Sequence, residues 1–167
     1  PPPHLVGHDP SLRPYRHDPE RAKALLAEAG RGDGLTLTAW LSPKDARDPL
    51  NPLPAIAAQL EAVGVKLVLE ILPGEEMSAR KRSGVFPDVR LLRWFADFPD
   101  PDTFFSALFY SKTEDVLDGG YRSADVDRLV EKGARLLDAG EREEVYRELN
   151  RLVQAEAPVV FLFHNRG

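Results

Sequence analysis

The sequence predicts an α/β fold, with a mixed, largely parallel sheet flanked by helices, and three observations carry that prediction. Leu35-Thr36-Leu37-Thr38-Ala39-Trp40 alternates apolar and polar residues of β-forming type, the pattern of a half-buried strand. Val65, Leu67, Leu69 and Ile71 alternate in the same way. Between the two, Leu53, Ile56, Leu60 and Val63 fall on one helical face, and Gly64 ends it. A strand, helix, strand unit of this length joins parallel strands through a right-handed crossover.

Taken in order, residues 1–17 form a lead-in with five prolines and no periodicity, hence extended or looped. A helix follows at once: Asp18 caps it, Pro19 suits its first position, Glu20 complements its dipole and Gly30 stops it. Ala22, Leu25, Leu26 and Ala29 make its buried stripe. The first strand is followed by a proline-bounded loop over 42–54, and the second strand is broken by Pro73-Gly74. Residues 75–83 read as a short polar helix with acids first and bases last, as its dipole favours. Gly84 ends it, and residues 88–94 read as a third strand that delivers Trp94 to an acidic, aromatic loop.

Beyond that loop, Thr103 or Asp102 is expected to cap a short apolar helix over 104–110, and 111–120 reads as a polar loop. Ser123 opens a helix whose stripe is Val126, Leu129, Val130, Gly133 and Leu137, with Ala139-Gly140 as its end. The next helix, 141–157, uses Val145, Leu149, Leu152 and Val153, and Pro158 stops it. Val159-Val160-Phe161-Leu162-Phe163 is continuous apolar sequence, expected as a buried strand. The organisation is thus a lead-in over 1–17, a single α/β lobe over 18–163 and a tail over 164–167.

Bulk composition narrows the function classes. With 167 residues, 43% hydrophobic and 29% charged, the chain has the size and balance of one soluble domain. A net charge of −5 and the lack of a clustered basic face argue against nucleic-acid binding. There is no cysteine, which excludes disulfides, thiolate metal sites and cysteine nucleophiles. No run approaches the roughly 20 apolar residues of a membrane-spanning helix. No nucleophile elbow, phosphate loop or zincin motif is present. Three acids crowded on one loop lack the separation that paired acid and base catalysis needs, so no catalytic residue, cofactor or metal is assigned and the chain is not expected to be an enzyme.

The loop Arg93-Trp94-Phe95-Ala96-Asp97-Phe98-Pro99-Asp100-Pro101-Asp102 lies at the carboxyl end of the third predicted strand, where open α/β sheets bind ligands. Asp100 and Asp102 read as turn and cap residues, since Asp before Pro or before a helix is ordinary local chemistry. Trp94 divides between lip and core, Arg93 between the two faces of its strand, and Trp40 and Tyr121 between core and cleft margin. Asp97, Asp100 and Asp102 lack the glycine and terminal glutamate of a calcium loop. His4, His8 and His17 sit in the lead-in, where their spacing gives no common face, and His164 is alone; ordinary surface histidines are the reading.

Three passages together resemble a known family. Tyr15-Arg16-His17-Asp18-Pro19-Glu20-Arg21-Ala22, the Trp94-to-Pro101 loop, and residues 121–158 with Val126-Asp127, Glu141-Arg142, Tyr146 and Ala157-Pro158 are similar to the family 5 extracellular solute-binding proteins. These serve ATP-driven (ABC) importers of oligopeptides, dipeptides and nickel chelates. The resemblance implies a periplasmic-binding-protein-like (type II) fold of which this chain is the second, C-terminal lobe, the first lobe being its missing partner. It also implies a periplasmic or extracytoplasmic location, a peptide or small-solute ligand clamped between lobes, and delivery to importer permease subunits. In this family the aspartate three residues after the loop tryptophan holds the α-amino group of a bound peptide, and Asp97 occupies that position. A loop carboxylate in a partly dry cleft accepts charge-assisted hydrogen bonds from an ammonium. Trp94 and Phe98 are expected to line the cleft with apolar surface. A stand-alone interaction module and a nickel-chelate binder of the same family are the alternatives.

Overall fold

A computed structural model describes residue 3, residues 5–113 and residues 120–163. His4, His164, the tail at 164–167 and residues 114–119 of the predicted polar loop lie outside the described residues. The chain divides into two compact units, one of Tyr15–Leu92 and one of Pro1–Pro14 with Arg93–Gly167.

The first unit is built on the predicted crossover. Helix α1 (Pro19–Glu28) starts where the Asp18 carboxylate accepts the Arg21 N–H at 2.8 Å. Strand β1 (Leu35–Leu41) pairs in parallel with β2 (Val65–Ile71), Leu35 opposite Val65 and Leu41 opposite Ile71. Between them lie a single turn, α2 (Pro43–Ala46), inside the stretch expected as loop, and α3 (Leu53–Glu61). Ser42 followed by Pro43 makes that turn possible, because the serine oxygen takes the Asp45 N–H at 3.1 Å and proline suits the first helical position. The core of this unit is aliphatic: Ala39, Leu41, Leu53 and Leu67, with Ile56, Leu60 and Leu69 packed against it. Helix α4 (Gly74–Arg82) follows β2 with its acids first and bases last. Arg80 there bonds Glu70 at 2.6 Å and Glu76 at 2.7 Å and lies 5.5 Å from the Trp40 ring.

Two expectations for this unit are corrected. The stripe of α1 is not buried: Ala22 and Leu26 are half-covered, and Leu25 and Ala29 are exposed. Periodicity marks the apolar face of a helix but does not supply what covers it. The third strand over 88–94 shrinks to one parallel bridge, Ala39 with Val89. The Asp88 carboxylate takes both the backbone N–H (2.8 Å) and the hydroxyl (2.9 Å) of Thr38, and the Thr38 carbonyl takes the Val89 N–H (2.9 Å). Side-chain chemistry thus occupies the start of that edge, and residues 90–94 run on without further ladder pairing among the described residues.

The second unit is helical: α5 (Asp102–Leu108), α6 (Ala124–Arg135) and α7 (Ala139–Glu156). Ser123 caps α6 and Asp138 caps α7, accepting from Val126 and Glu141 respectively. Phe105, Phe109, Val126, Leu129, Val130, Val145, Tyr146, Leu149 and Val153 form the core. The boundary between α6 and α7 falls earlier than predicted, because Leu136 turns extended (ψ 130°) and Asp138 is the better cap; Ala139-Gly140 opens α7 and ends nothing. Leu137, in that linker, is 100% exposed and leaves the stripe. The final apolar run forms no strand. Val160 and Phe161 are 82% and 62% exposed, since an apolar run needs a covering partner and none of the described residues pairs with it.

The lead-in also contributes to this unit. Leu5 and Asp9 are buried. Asn150 donates to the Gly7 carbonyl (2.5 Å), Arg151 to Asp9 (2.8 Å) and Gln154 to the Arg13 carbonyl (2.7 Å), strapping residues 5–13 along α7. Gly7 has φ +77°, and a Cβ there would overlap the Tyr146 Cβ, so only glycine fits.

Candidate functional site

The loop between Trp94 and Thr103 belongs wholly to the helical unit. Its two ends are fixed and its middle projects. At the near end the half-buried Trp94 indole N–H donates to the Thr103 carbonyl at 3.0 Å. At the far end Asp100 is held on every side. Its N–H donates to the Phe98 carbonyl (2.7 Å), its carboxylate accepts the Asp102 N–H (2.8 Å), and its carbonyl accepts the Thr103 hydroxyl (2.8 Å). Arg142 from α7 then forks onto the carboxylate, Nη1 to Oδ2 and Nη2 to Oδ1, both at 2.8 Å. This is the planar bidentate geometry that suits a guanidinium to a carboxylate. The hydrogen bond from Arg142 holds the Asp100 carboxyl below the usual carboxylate range, so the pair stays ionised at neutral pH.

Arg142 is itself fixed. Its Nε donates to the Gly133 carbonyl in the last turn of α6 (3.1 Å), its guanidinium lies 4.9 Å from the Tyr146 ring centroid, and Nη2 reaches the Tyr146 hydroxyl at 3.2 Å. That hydroxyl donates to Asp102 at 3.2 Å. Tyr146 is fully buried and stacks on Phe105 at 5.7 Å. Burial, with the nearby Asp102 charge, pushes the phenol far above its ordinary value, so it acts only as a neutral hydrogen-bonding group. A Cβ at Gly133 would come within 3.0 Å of the Tyr146 ring, which explains a glycine inside α6.

Between these anchors, residues 95–99 are all exposed. The Asp97 carboxylate makes no hydrogen bond or ion pair with any described residue. Phe95 and Phe98 stand beside it in sequence, 69% and 57% exposed. The arrangement is a carboxylate and two aromatic rings presented outward on a loop bonded at both ends. The three residues singled out in the sequence therefore separate: Asp97 and Phe98 project, whereas Trp94 is half-buried with its N–H used to close the loop. Asp100 acts as the turn residue expected. The capping of α5 differs, because Pro101 precedes it and the Asp100 carboxylate, rather than the side chain of Asp102 or Thr103, receives the first free N–H.

Sequence reasoning missed Arg142 and the exposure of Phe95. A signal for Arg142 was available: it stands three and four residues before Val145 and Tyr146, so it extends the buried stripe of α7 by one turn.

A loop of this kind, on helices of this order, can be compared with known proteins. Residues 1–115 match the family described as bacterial extracellular solute-binding proteins, family 5 Middle. The chain belongs to this family. Among curated members it is 33% identical to di/tripeptide-binding protein 4 of Pseudomonas aeruginosa, over 94% of this chain and 30% of that protein. It is 28% identical to the dipeptide-binding protein of Escherichia coli, over 98% of this chain and 31% of that one. Among solved structures, HbpA2 of Haemophilus parasuis superposes with a TM-score of 0.82 at 26% identity, covering 93% of this chain and 31% of its own. The periplasmic binding protein DppA of Helicobacter pylori, in complex with the peptide STSA, gives 0.81 at 26% identity, covering 94% and 31%. The chain thus spans about a third of the length of these family members, and its mixed α/β fold with parallel strands and flanking helices is theirs over that third. These relatives are named for binding, not for catalysis, and no helix among the described residues is long and apolar enough to cross a membrane.

Proposed function

We propose that this chain is one lobe, over residues 18–163, of a solute-binding protein that captures short peptides for an ATP-driven importer. In this reading residues 1–17 lead into the lobe, and a second lobe of the same protein completes the clamp. Asp97 receives the α-ammonium of the peptide, and Phe98 and Trp94 supply apolar surface beside it. The protein works outside the cytoplasm and hands its cargo to membrane permease subunits. The observation that carries the reading is the Asp97 carboxylate, exposed and without a partner among the described residues, on a loop anchored at both ends. Such a group is open to a ligand, and an ammonium supplies the opposite charge and the hydrogen-bond donors it lacks. The names of the relatives, di/tripeptide-binding and dipeptide-binding, support a peptide as the source of that ammonium.

The test uses the full-length protein that carries this chain. Asp97→Asn is expected to weaken binding of an unmodified dipeptide by about ten- to a hundredfold, the worth of a hydrogen bond to a charged group. Binding of the N-acetylated dipeptide should fall much less. Calorimetric titration with both peptides reads the difference, and equal losses would remove Asp97 from ammonium recognition.

A further inference from the structure

We infer that Arg142, which lies on α7 outside the exposed tip, is a positioning residue for Asp97. The inference rests on the reading of Asp97 as the ammonium contact. Asp97 is three residues before Asp100, and the Asp100 N–H donates to the Phe98 carbonyl at 2.7 Å, closing a tight turn over 98–100. Whatever fixes Asp100 therefore fixes the point to which the short backbone from Asp97 returns. Asp100 is fixed by two parallel bonds from Arg142, at 2.8 Å each.

The fork matters as much as the charge. Arg142 reaches three separate elements at once: the loop through Asp100, the end of α6 through the Gly133 carbonyl (3.1 Å), and the core through the Tyr146 ring and hydroxyl. A lysine ammonium is a point charge on a flexible stem and does not reproduce a planar fork. Tyr146 extends the same hold to the start of α5 through Asp102. The base of the loop is thus tied to Tyr146, one of the fully buried side chains of the unit. A loop whose base is tied in this way has less backbone to order when a ligand arrives, which is where preorganisation gains affinity.

A residue that only stabilised the fold would lower binding of all ligands alike. A positioning residue for Asp97 acts on ligands with an ammonium and only while Asp97 is present. In the full-length protein, Arg142→Gln should weaken an unmodified dipeptide, alanyl-phenylalanine, by about tenfold, the scale of a hydrogen bond to a charged group. Its N-acetyl form should weaken far less, and Arg142→Lys should restore only part of the loss. Placed on Asp97→Asn, the same Arg142→Gln change should no longer alter the ratio of the two affinities. Asp100→Asn removes the fork from the other side and should reproduce the pattern, which keeps the test open where Arg142→Gln does not fold. An unchanged ratio in a folded Arg142→Gln or Asp100→Asn protein, with Asp97→Asn still selective, would overturn the inference and leave the proposed function standing. If Asp97→Asn itself affects both peptides equally, the ammonium reading fails and this inference fails with it.

Discussion

The two units handle polar groups in opposite ways. Around Ala39, Leu41, Leu53 and Leu67 the core is aliphatic, and the ion pairs of Arg80 with Glu70 and Glu76 lie outside it. Around Tyr146 the core takes polar groups in, and most find partners: Arg142 on Asp100, Gly133 and the phenol, the phenol on Asp102, Asn150 on the Gly7 carbonyl, while Arg147 Nε is buried without one among the described residues. An aliphatic core needs only shape and volume, so it tolerates exchange among apolar residues. A polar network needs direction as well, and a network that is fully satisfied holds one geometry. The loop with Asp97 grows from the second kind of core. The lesson is that the base of a loop is tied down by directional bonds rather than by apolar packing alone.

Truncation of the two central side chains should break this contrast most sharply. Tyr146→Ala is expected to cost about 3–5 kcal/mol, as for other large aromatic deletions, and it also strips Asp102 and Arg142 of the phenol. Leu53→Ala, at about 2–5 kcal/mol, removes volume alone. Urea unfolding of the two variants should give the larger loss for tyrosine, and ammonium selectivity should change only with it. Equal losses with unchanged selectivity would show the two cores to be equivalent.

Acid should act next, on the strap over α7. Hydrogen bonds from the Ser11 hydroxyl and N–H, then the Arg151 guanidinium, lower the Asp9 carboxyl from 3.8 to about 2. A lowered folded value means the ionised form stabilises the fold: the contribution is complete above about pH 4 and is lost as pH falls toward 2. Asp9→Asn should flatten the fall in stability across that window, which thermal melts at stepped pH would detect; an unchanged acid profile would remove Asp9 from it. The smallest effect is expected on the surface of the strand unit. Arg80→Gln breaks two solvent-screened pairs and should leave the melting temperature within the scatter of surface substitutions. A clear drop would mean that its contact with Trp40 contributes more than its charges do.

Much of the frame is legible in the residues because local signals and tertiary partners agree there. Asp18-Pro19, Ser123 and the Gly64 stop place three helix ends, and the alternation in 35–41 and 65–71 gives both strands and their parallel crossover. Where burial depends on a distant partner, the residues are silent. The apolar stripe of α1 and the run 160–163 announce faces that the described residues leave largely open, Val159 alone of that last run packing on the helical core. Within the loop, local chemistry was enough to mark Asp100 as a turn residue, since Asp before Pro is a turn signal, whereas the expectation for Asp97 came from the family resemblance. It was not enough to find Arg142, 42 residues away, because an arginine at the head of a buried stripe reads as a solvated end until its acceptor is known.

The strap formed by residues 5–13 has a kinetic corollary. Its anchors on α7 are between 141 and 143 residues further along the chain. Contacts of such separation close a long loop and are slow to form. During synthesis the strap emerges well before the helix that receives it. Tyr146 cannot be sealed until both ends of this unit have met, so the step that completes the core also locks the root of the 94–103 loop. The loop therefore reaches its working geometry late in folding, as one of the final events rather than one of the first.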